Sequence, residues 1–574
     1  MRLQATNLRG RDRRIYEEFF EEQDREHWKR YHATPEEMAA AHLRRVLRPV
    51  DVWASDWDLR TLAEQRADHC LDWVVDFPGL MTFAAINEKL ESMEARPMEP
   101  RPGDDLELQL QAAIKRLGCP LYWRRQLRRT QVRKREAQEQ AAGRICARNM
   151  PYVHTVTAAR HAERQAANRA MLEQTEIENA DGEIINLWQA VEASTANKSI
   201  RRGELMTRIR GCEEWATARG MVGIFTTNTL PSRFHASRFE GGKNPAFDGS
   251  TPRDGQGWLS KTWARARSKI QRRGIKVFGF RVAEPHHDGC PHWHMLLWVK
   301  PEQAEALQEL LRACWLQHEG DEPGADRYRF KAEAIDPARG GAIAYVAKYI
   351  SKNIDDAGSV GETGHYDYQG QQKQLIEGGK AQLVTAWASA WGIRQFQPIG
   401  QPPVTVWREL RRVDAGMVIG SSKRMQRAFA AVHKGEAHRA DWCGYMTEQG
   451  GAMVGRGYQL RLEFDSETKE GRYGPSEVKT PAGVFDVSRP GELCKSARKK
   501  WKPKGTWTLA ERHTARRGLL GELASLVSPW TRFNNCTQDK PAKPASRVNS
   551  WAILAGDWPK PEPRRTRGDS PGKK

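Results

Sequence analysis

None of the nine cysteines in this 574-residue chain stands in a Cys-x-x-Cys pair. That excludes a zinc ribbon, gives no sign of a disulfide framework, and fits a reducing compartment. The N-terminus has no apolar signal segment, and no apolar run approaches the length that spans a bilayer. The expectation is a cytoplasmic protein with no membrane partner. No Gly-x-x-x-x-Gly-Lys-Ser/Thr loop is present, which excludes a motor of the P-loop kind. Negative charge is the minority: 72 acidic side chains face 92 Lys and Arg, a net charge of +20 with a pI near 9.6. Such a balance favours a polyanionic partner, and phosphate backbones are the default. What the chain has in quantity is tryptophan, 21 residues interleaved with the charge. Bases stack on such rings while arginines track the backbone.

The length allows two to four domains. Residues 1–118 read as a helical module, with Ile15, Phe19, Phe20 and Trp28 at helical spacing. Thr34 caps a helix opened by Pro35, a second helix is expected over 57–70, and Arg96 to Gly103 form a Pro-rich linker. Residues 119–220 form a basic helical region. Its run WRRQLRRTQVRKREAQEQ (123–140) carries cations on nearly every turn. Arg124, Arg125, Arg128 and Arg129 are candidate contacts to DNA phosphates, which position a protein without reading sequence; a solvated helix face is the alternative. A helix over 155–178, a turn at Asp181-Gly182 and a helix over 201–219 closed by Gly220 follow. Residues 416–500 read as an accessory region, strand-like near 458–464 and 483–487. Residues 501–574 have the Lys/Arg/Pro-rich composition of a largely disordered tail, with one short apolar helix near 517–527.

The informative region is 221–415. MVGIFTTNT (221–229) reads as a strand. A polar, Gly-rich loop runs to Gly255, and a basic amphipathic helix spans Trp258 to Arg273. Two strands flank the turn marked by Pro285, Asp288, Gly289 and Pro291. Pro301 opens a helix over Glu302 to Gln317, a fourth strand runs about 327–335, and another helix starts near Ala342. The order β-α-β-β-α-β predicts an α+β, split ferredoxin-like core in which the first strand lies beside the third. Thr227 or Asn228 then lies near the hairpin's functional face, with strand packing as the expected role. The aromatic stretch 386–397 is expected to return to the core, and Arg394 is a further candidate DNA contact.

Within the hairpin, period two puts His292 and His294 on one face. A turn centred on Asp288 sets Glu284 directly across from His292. Two imidazoles and a carboxylate then converge, a three-donor set that leaves coordination positions open for catalysis. His235, His286 and His287 flank it as alternatives to Glu284. Residues 345–352, Tyr-Val-Ala-Lys-Tyr-Ile-Ser-Lys, repeat one tetrad. On a helix Tyr345 and Tyr349 share a face, each with a lysine, Lys348 or Lys352, three places on. A phenol, with a pKa of about 10, becomes a nucleophile only with help from a cation or base. A metal on the His/Glu set can polarise a phosphate oxygen, and the product would be a phosphotyrosine ester.

The His292-Trp293-His294 hairpin followed by the tyrosine tetrads resembles the HUH superfamily of single-strand endonucleases. The fuller resemblance, over roughly 120–415, is to the replication gene A proteins of peduovirus-type tailed phages. RRGELMTRIRGCEEWA from Arg201, GIFTTNTLPSRFH and WASAWGIRQFQPIG carry it further. The resemblance implies an HUH nuclease core and a divalent ion, Mg2+ or Mn2+. It implies nicking of origin DNA, covalent linkage to the 5′-phosphate and rolling-circle initiation in the host bacterium's cytoplasm. A host helicase and a replication polymerase would serve it. A conjugative relaxase or single-strand transposase with the same chemistry, and a non-catalytic origin-binding protein, are the alternative readings; a metal hydrolase unrelated to DNA leaves the tyrosine pair unexplained.

Overall fold

The computed structural model describes residues 35–77, 81–238, 241–336, 338, 341–345, 379–433 and 440–504. Lys348, Tyr349, Lys352 and the expected tail beyond 504 lie outside the described residues. Contacts divide the chain into two units, of which the first comprises residues up to 138 together with 468–477.

The first unit is built from α1 (Pro35–Leu47), α2 (Asp56–Asp76), α3 (Phe83–Ser92), α4 (Leu106–Leu117) and α5 (Pro120–Ala141) as far as 138. Ser55 and Asp58 start α2 with a reciprocal capping box, which satisfies two otherwise orphaned N–H groups. The helix runs on to Asp76, past the expected 57–70. Leu59, Leu62, Ile86, Leu90, Leu117, Trp123 and Leu127 form the core of this unit. The expected linker, 96–103, is non-helical between α3 and α4.

The second unit opens with α6 (Thr155–Gln174), shorter than the expected 155–178. Thr175 takes an extended conformation, and Glu176–Asn179 is a strand, β1, paired with β2 (Ile184–Asn186) across the turn at Gly182. After α7 (Leu187–Glu192) comes α8 (Lys198–Thr217). Gly220, at φ +62, terminates that segment as expected.

The central sheet contains β3 (Val222–Asn228), β4 (Val277–Pro285), β5 (Pro291–Val299) and β6 (Phe330–Ala334). Between them lie α9 (Pro252–Arg272), α10 (Pro301–Leu316) and the short α11 (Ala325–Tyr328). After α12 (Gly379–Trp391), a fifth strand, β7 (Phe396–Ile399), joins the edge. The spatial order is β6-β3-β5-β4-β7, antiparallel throughout. The chain is thus a mixed α and β protein with antiparallel sheets.

Two departures from the sequence reading have local causes. Helix α9 begins six residues before Trp258, because Thr251 and Asp254 form a capping box around Pro252. Gly255 is helical and packs close: a Cβ there would meet Leu230 at 2.6 Å. Strand β6 starts late because α11 occupies the residues before it.

One face of β5 presents Trp293, Met295, Leu297 and Val299, and α9 packs on that strand. The Trp293 indole donates to Gln256 of α9 at 2.9 Å, and the Arg281 guanidinium lies 4.1 Å from its ring centroid. On the other face, Leu296 and Trp298 of β5 and Phe278 and Phe280 of β4 join a larger core. That core takes Leu205, Ile209 and Trp215 from α8. It also takes Trp407 from α13 (Val404–Leu410), Met425 from α15 (Lys423–His433) and Trp442 from α16 (Trp442–Glu448), with α14 (Ala415–Val418) alongside. Fully burying Leu296 or Phe280 contributes about 1.5–3 kcal/mol each. Residues of 404–433 and 440–448, within and beyond the expected accessory region from 416, therefore take part in the main core. The strand-like segments of that region are β8 (Leu460–Gly471) and β9 (Gly474–Asp486), with β10 (Leu493–Lys495) beside β9. A last strand, β11 (Trp501–Pro503), pairs with β1. Trp387 and Trp391 of α12 are fully buried, so the aromatic stretch 386–397 does return to the core.

Candidate active site

The β4–β5 ladder pairs Glu284 with His292 and Val282 with His294. This is the register expected of the hairpin, and it puts Glu284, His292 and His294 on one buried patch with ligand atoms within 4.8 Å of one another. The two Nε2 atoms are 2.9 Å apart. Two nitrogens on a single ion, each bound at about 2.0–2.1 Å, stand roughly 2.9–3.4 Å apart for bond angles from 90° to tetrahedral. The donor set of two imidazoles and one carboxylate therefore fits a divalent cation.

Strand β3 supplies the orienting group. Thr227 pairs with His294 in the β3–β5 ladder, and its hydroxyl lies 3.1 Å from His294 Nδ1. A contact at Nδ1 fixes the ring and turns Nε2 inward. Thr227 thus does more than the strand packing expected of it. Asn228 keeps the expected structural role, its amide donating to Thr226 and to the Trp293 carbonyl.

Phe225 links these donors to the tyrosine segment. Its ring stacks on His294 at 5.5 Å between centroids, and the Tyr345 ring lies 5.4 Å away on the same phenylalanine. Residues 341–345 are helical, as expected of a helix starting near Ala342. The Ala342 N–H donates to Glu213 of α8 at 2.7 Å, and a carboxylate at a helix start is favourable. Tyr345 is half-buried. The structure thus brings Glu284, His292, His294 and Tyr345 to one face of one sheet.

The turn at the end of the hairpin is held from several directions. Gln140 donates to the Asp288 carbonyl at 2.9 Å, the Tyr152 N–H to that of His287 at 3.1 Å, and the Trp387 indole to that of Gly289 at 2.8 Å. Gly289 has φ +81, and a Cβ there would meet Gln140 at 2.6 Å. His235 Nδ1 lies 3.1 Å from Asp288 Oδ2. Burial opposes ionisation of Asp288, but the charge and hydrogen bond of His235 hold its carboxyl down at about 2. Burial likewise opposes charge on His235, and Cys290 and Asp288 outweigh it, holding the ring well above the usual histidine range. For His286, burial and the neighbouring charge of His235 push the ring down to about 3. The His286 ring packs against His292 at 4.0 Å.

The candidate DNA contacts divide. Arg124 donates to Asp56 at 2.6 Å and Arg128 to the same carboxylate at 2.9 Å, whereas Arg125 and Arg129 are exposed. Burial of Asp56 is outweighed by these two arginines, which hold its carboxyl below the usual range. Arg394 is exposed, and its carbonyl accepts from Arg281 at 3.0 Å.

A family model for the bacteriophage replication gene A protein matches residues 81–357. The replication gene A protein of Escherichia phage 186 is 40% identical over 386 residues, 67% of this chain and 54% of that protein. The probable replication protein P12 of Pseudoalteromonas phage PM2 is 34% identical over 498 residues, 86% of this chain and 70% of that protein. A probable replication endonuclease from a prophage-like region of Salmonella typhi is 30% identical over 518 residues, 87% of this chain and 60% of that protein. The chain thus spans about half the length of the phage 186 protein. No solved structure matches.

Proposed function

The chain belongs to the bacteriophage replication gene A protein family, and from that premise we propose that it is a metal-dependent, origin-specific single-strand DNA endonuclease that initiates rolling-circle replication through a phosphotyrosine intermediate. The name of the Salmonella typhi relative, a probable replication endonuclease, supports the nuclease class. Numbered in chain order, the four strands of the β-α-β-β-α-β unit lie 4-1-3-2. This supports reading the sheet as a ferredoxin-like HUH core.

The observation that carries the proposal is the group of Glu284, His292 and His294, with Phe225 touching both His294 and Tyr345. The two histidines and Glu284 would hold the divalent ion, which when bound polarises a non-bridging phosphate oxygen and stabilises charge at the leaving oxygen. Thr227 keeps the His294 ring oriented. Tyr345 Oη attacks the scissile phosphorus as its proton is lost to solvent or base. The P–O3′ bond breaks, and the departing O3′ takes up a proton as a free 3′-hydroxyl. The 5′-phosphate remains esterified to the tyrosine, with Lys348 and Lys352 as proposed cations beside it. A second transfer through Tyr349 would cut the regenerated origin and allow the freed 3′-hydroxyl to close a circle. The 3′-hydroxyl primes a polymerase in the host cytoplasm, and a separate helicase opens the duplex. Among the described residues no helix is long and apolar enough to cross a membrane.

The test is mass spectrometry of a digest after reaction with a labelled origin oligonucleotide and Mn2+. The expected result is DNA on a peptide containing Tyr345 or Tyr349, lost when both are changed to Phe. Nicking that persists in the Tyr345→Phe, Tyr349→Phe double variant overturns the tyrosine assignment. A folded wild-type protein that never nicks with Mg2+ or Mn2+ favours an origin-binding role instead.

A further inference from the structure

We propose that the hairpin turn carries a second metal site, in which His235, Asp288 and Cys290 bind a thiophilic divalent ion of the zinc class and His286 turns in as fourth donor. The ligand atoms of His235, Asp288 and Cys290 lie within 4.8 Å of one another. The 3.1 Å between His235 Nδ1 and Asp288 Oδ2 is close to the roughly 3.3 Å that separates two donors on one tetrahedral ion. Asp288 and Cys290 are almost fully buried, at 1% and 2% exposure.

A separate observation points to a ligand. His286 Nε2 is buried without a hydrogen-bond partner, and a buried polar nitrogen left in that state is costly. Its ring centroid is 5.1 Å from that of His235, and its nitrogens stand outside the 4.8 Å group of the other three, so the ring would shift to close the site. An ion bound there would satisfy it. The backbone of the turn is fixed by Gln140, Tyr152 and Trp387, so the donors stand on a rigid frame.

The two sets on this hairpin differ in kind. Glu284, His292 and His294 offer no sulfur and leave positions open, which suits Mg2+ or Mn2+ with exchangeable ligands. The turn set has a thiolate and four protein donors, the closed and soft pattern of a structural zinc site. Its role would be to lock the turn from which His292 departs. The absence of Cys-x-x-Cys pairs excludes a ribbon, and it says nothing against a mixed set gathered from separate loops.

The experiment uses the full chain and reads metal, so its outcome is independent of whether the protein nicks DNA. Zinc is measured by mass spectrometry of the purified protein, and the protein loaded with one equivalent of Co2+ is examined by absorption. One equivalent of zinc is expected, with a thiolate-to-cobalt charge-transfer band in the near ultraviolet. Cys290→Ser should lose both. His292→Ala with His294→Ala should keep both, and it serves as the control should Cys290→Ser fold poorly. Folded wild type that neither retains zinc nor gives the band overturns the proposal. So does a band that persists in Cys290→Ser, or one that disappears in the double histidine variant.

Discussion

Two groups of donors share one hairpin and came together by different means. Glu284, His292 and His294 stand on paired strands, and the ladder alone aligns them. His235, by contrast, reaches Asp288 across 53 residues of chain, from the loop after β3. The first group depends on an alternation with a period of two, a local property that survives as long as the hairpin does. The second depends on the whole domain being folded around the turn. A functional constellation drawn from regular structure should be robust to mutation elsewhere, and one drawn from loops should report on global packing.

That contrast sets the expected effects. Changing both His292 and His294 to Ala should lower origin nicking at least about a thousandfold, roughly 4 kcal/mol of transition-state stabilisation. Circular dichroism and the denaturation midpoint should change little. Equal loss of structure and activity would erase the distinction between the groups. Asp288→Ala should show the opposite balance. It removes the partner of buried His235, and stability should fall by about 3 kcal/mol, read from urea unfolding. If stability is unchanged and nicking is lost as in the histidine variant, the turn group is catalytic and the comparison fails.

Thr227→Val sharpens the first half of the comparison. It removes the contact at His294 Nδ1 and keeps the shape, so Mn2+ affinity should weaken about tenfold, measured by titration. Trp387→Phe addresses the second half with the smallest effect. Loss of the indole bond to the Gly289 carbonyl should cost about 1 kcal/mol in thermal unfolding, with Mn2+ affinity unaltered.

The same contrast explains what could be read in advance. The strand-borne donors were legible because Pro285, Asp288, Gly289 and Pro291 mark the turn and alternation does the rest. The link through Phe225 was not, since a phenylalanine in a strand carries no sign that it touches both a histidine and a tyrosine. Cys290 stands in no Cys-x-x-Cys pair, so the sequence does not mark it as a donor. Arg124 and Arg128 looked free because Asp56, their partner, lies 68 and 72 residues earlier. Helices α13, α14 and α16 escaped notice for a related reason: they are four to seven residues long, and their apolar positions are justified only by the core they join. Strand β7 is four residues long, too brief for alternation to show.

The two outer strands of the central sheet have a bearing on how the protein behaves when many copies crowd together. β6 exposes Lys331 and Glu333, and β7 carries Pro398, which has no N–H to offer a neighbour. Both margins are thus poor templates for a strand from another molecule, so accumulation at high concentration should leave the chains dispersed instead of zipped into aggregates.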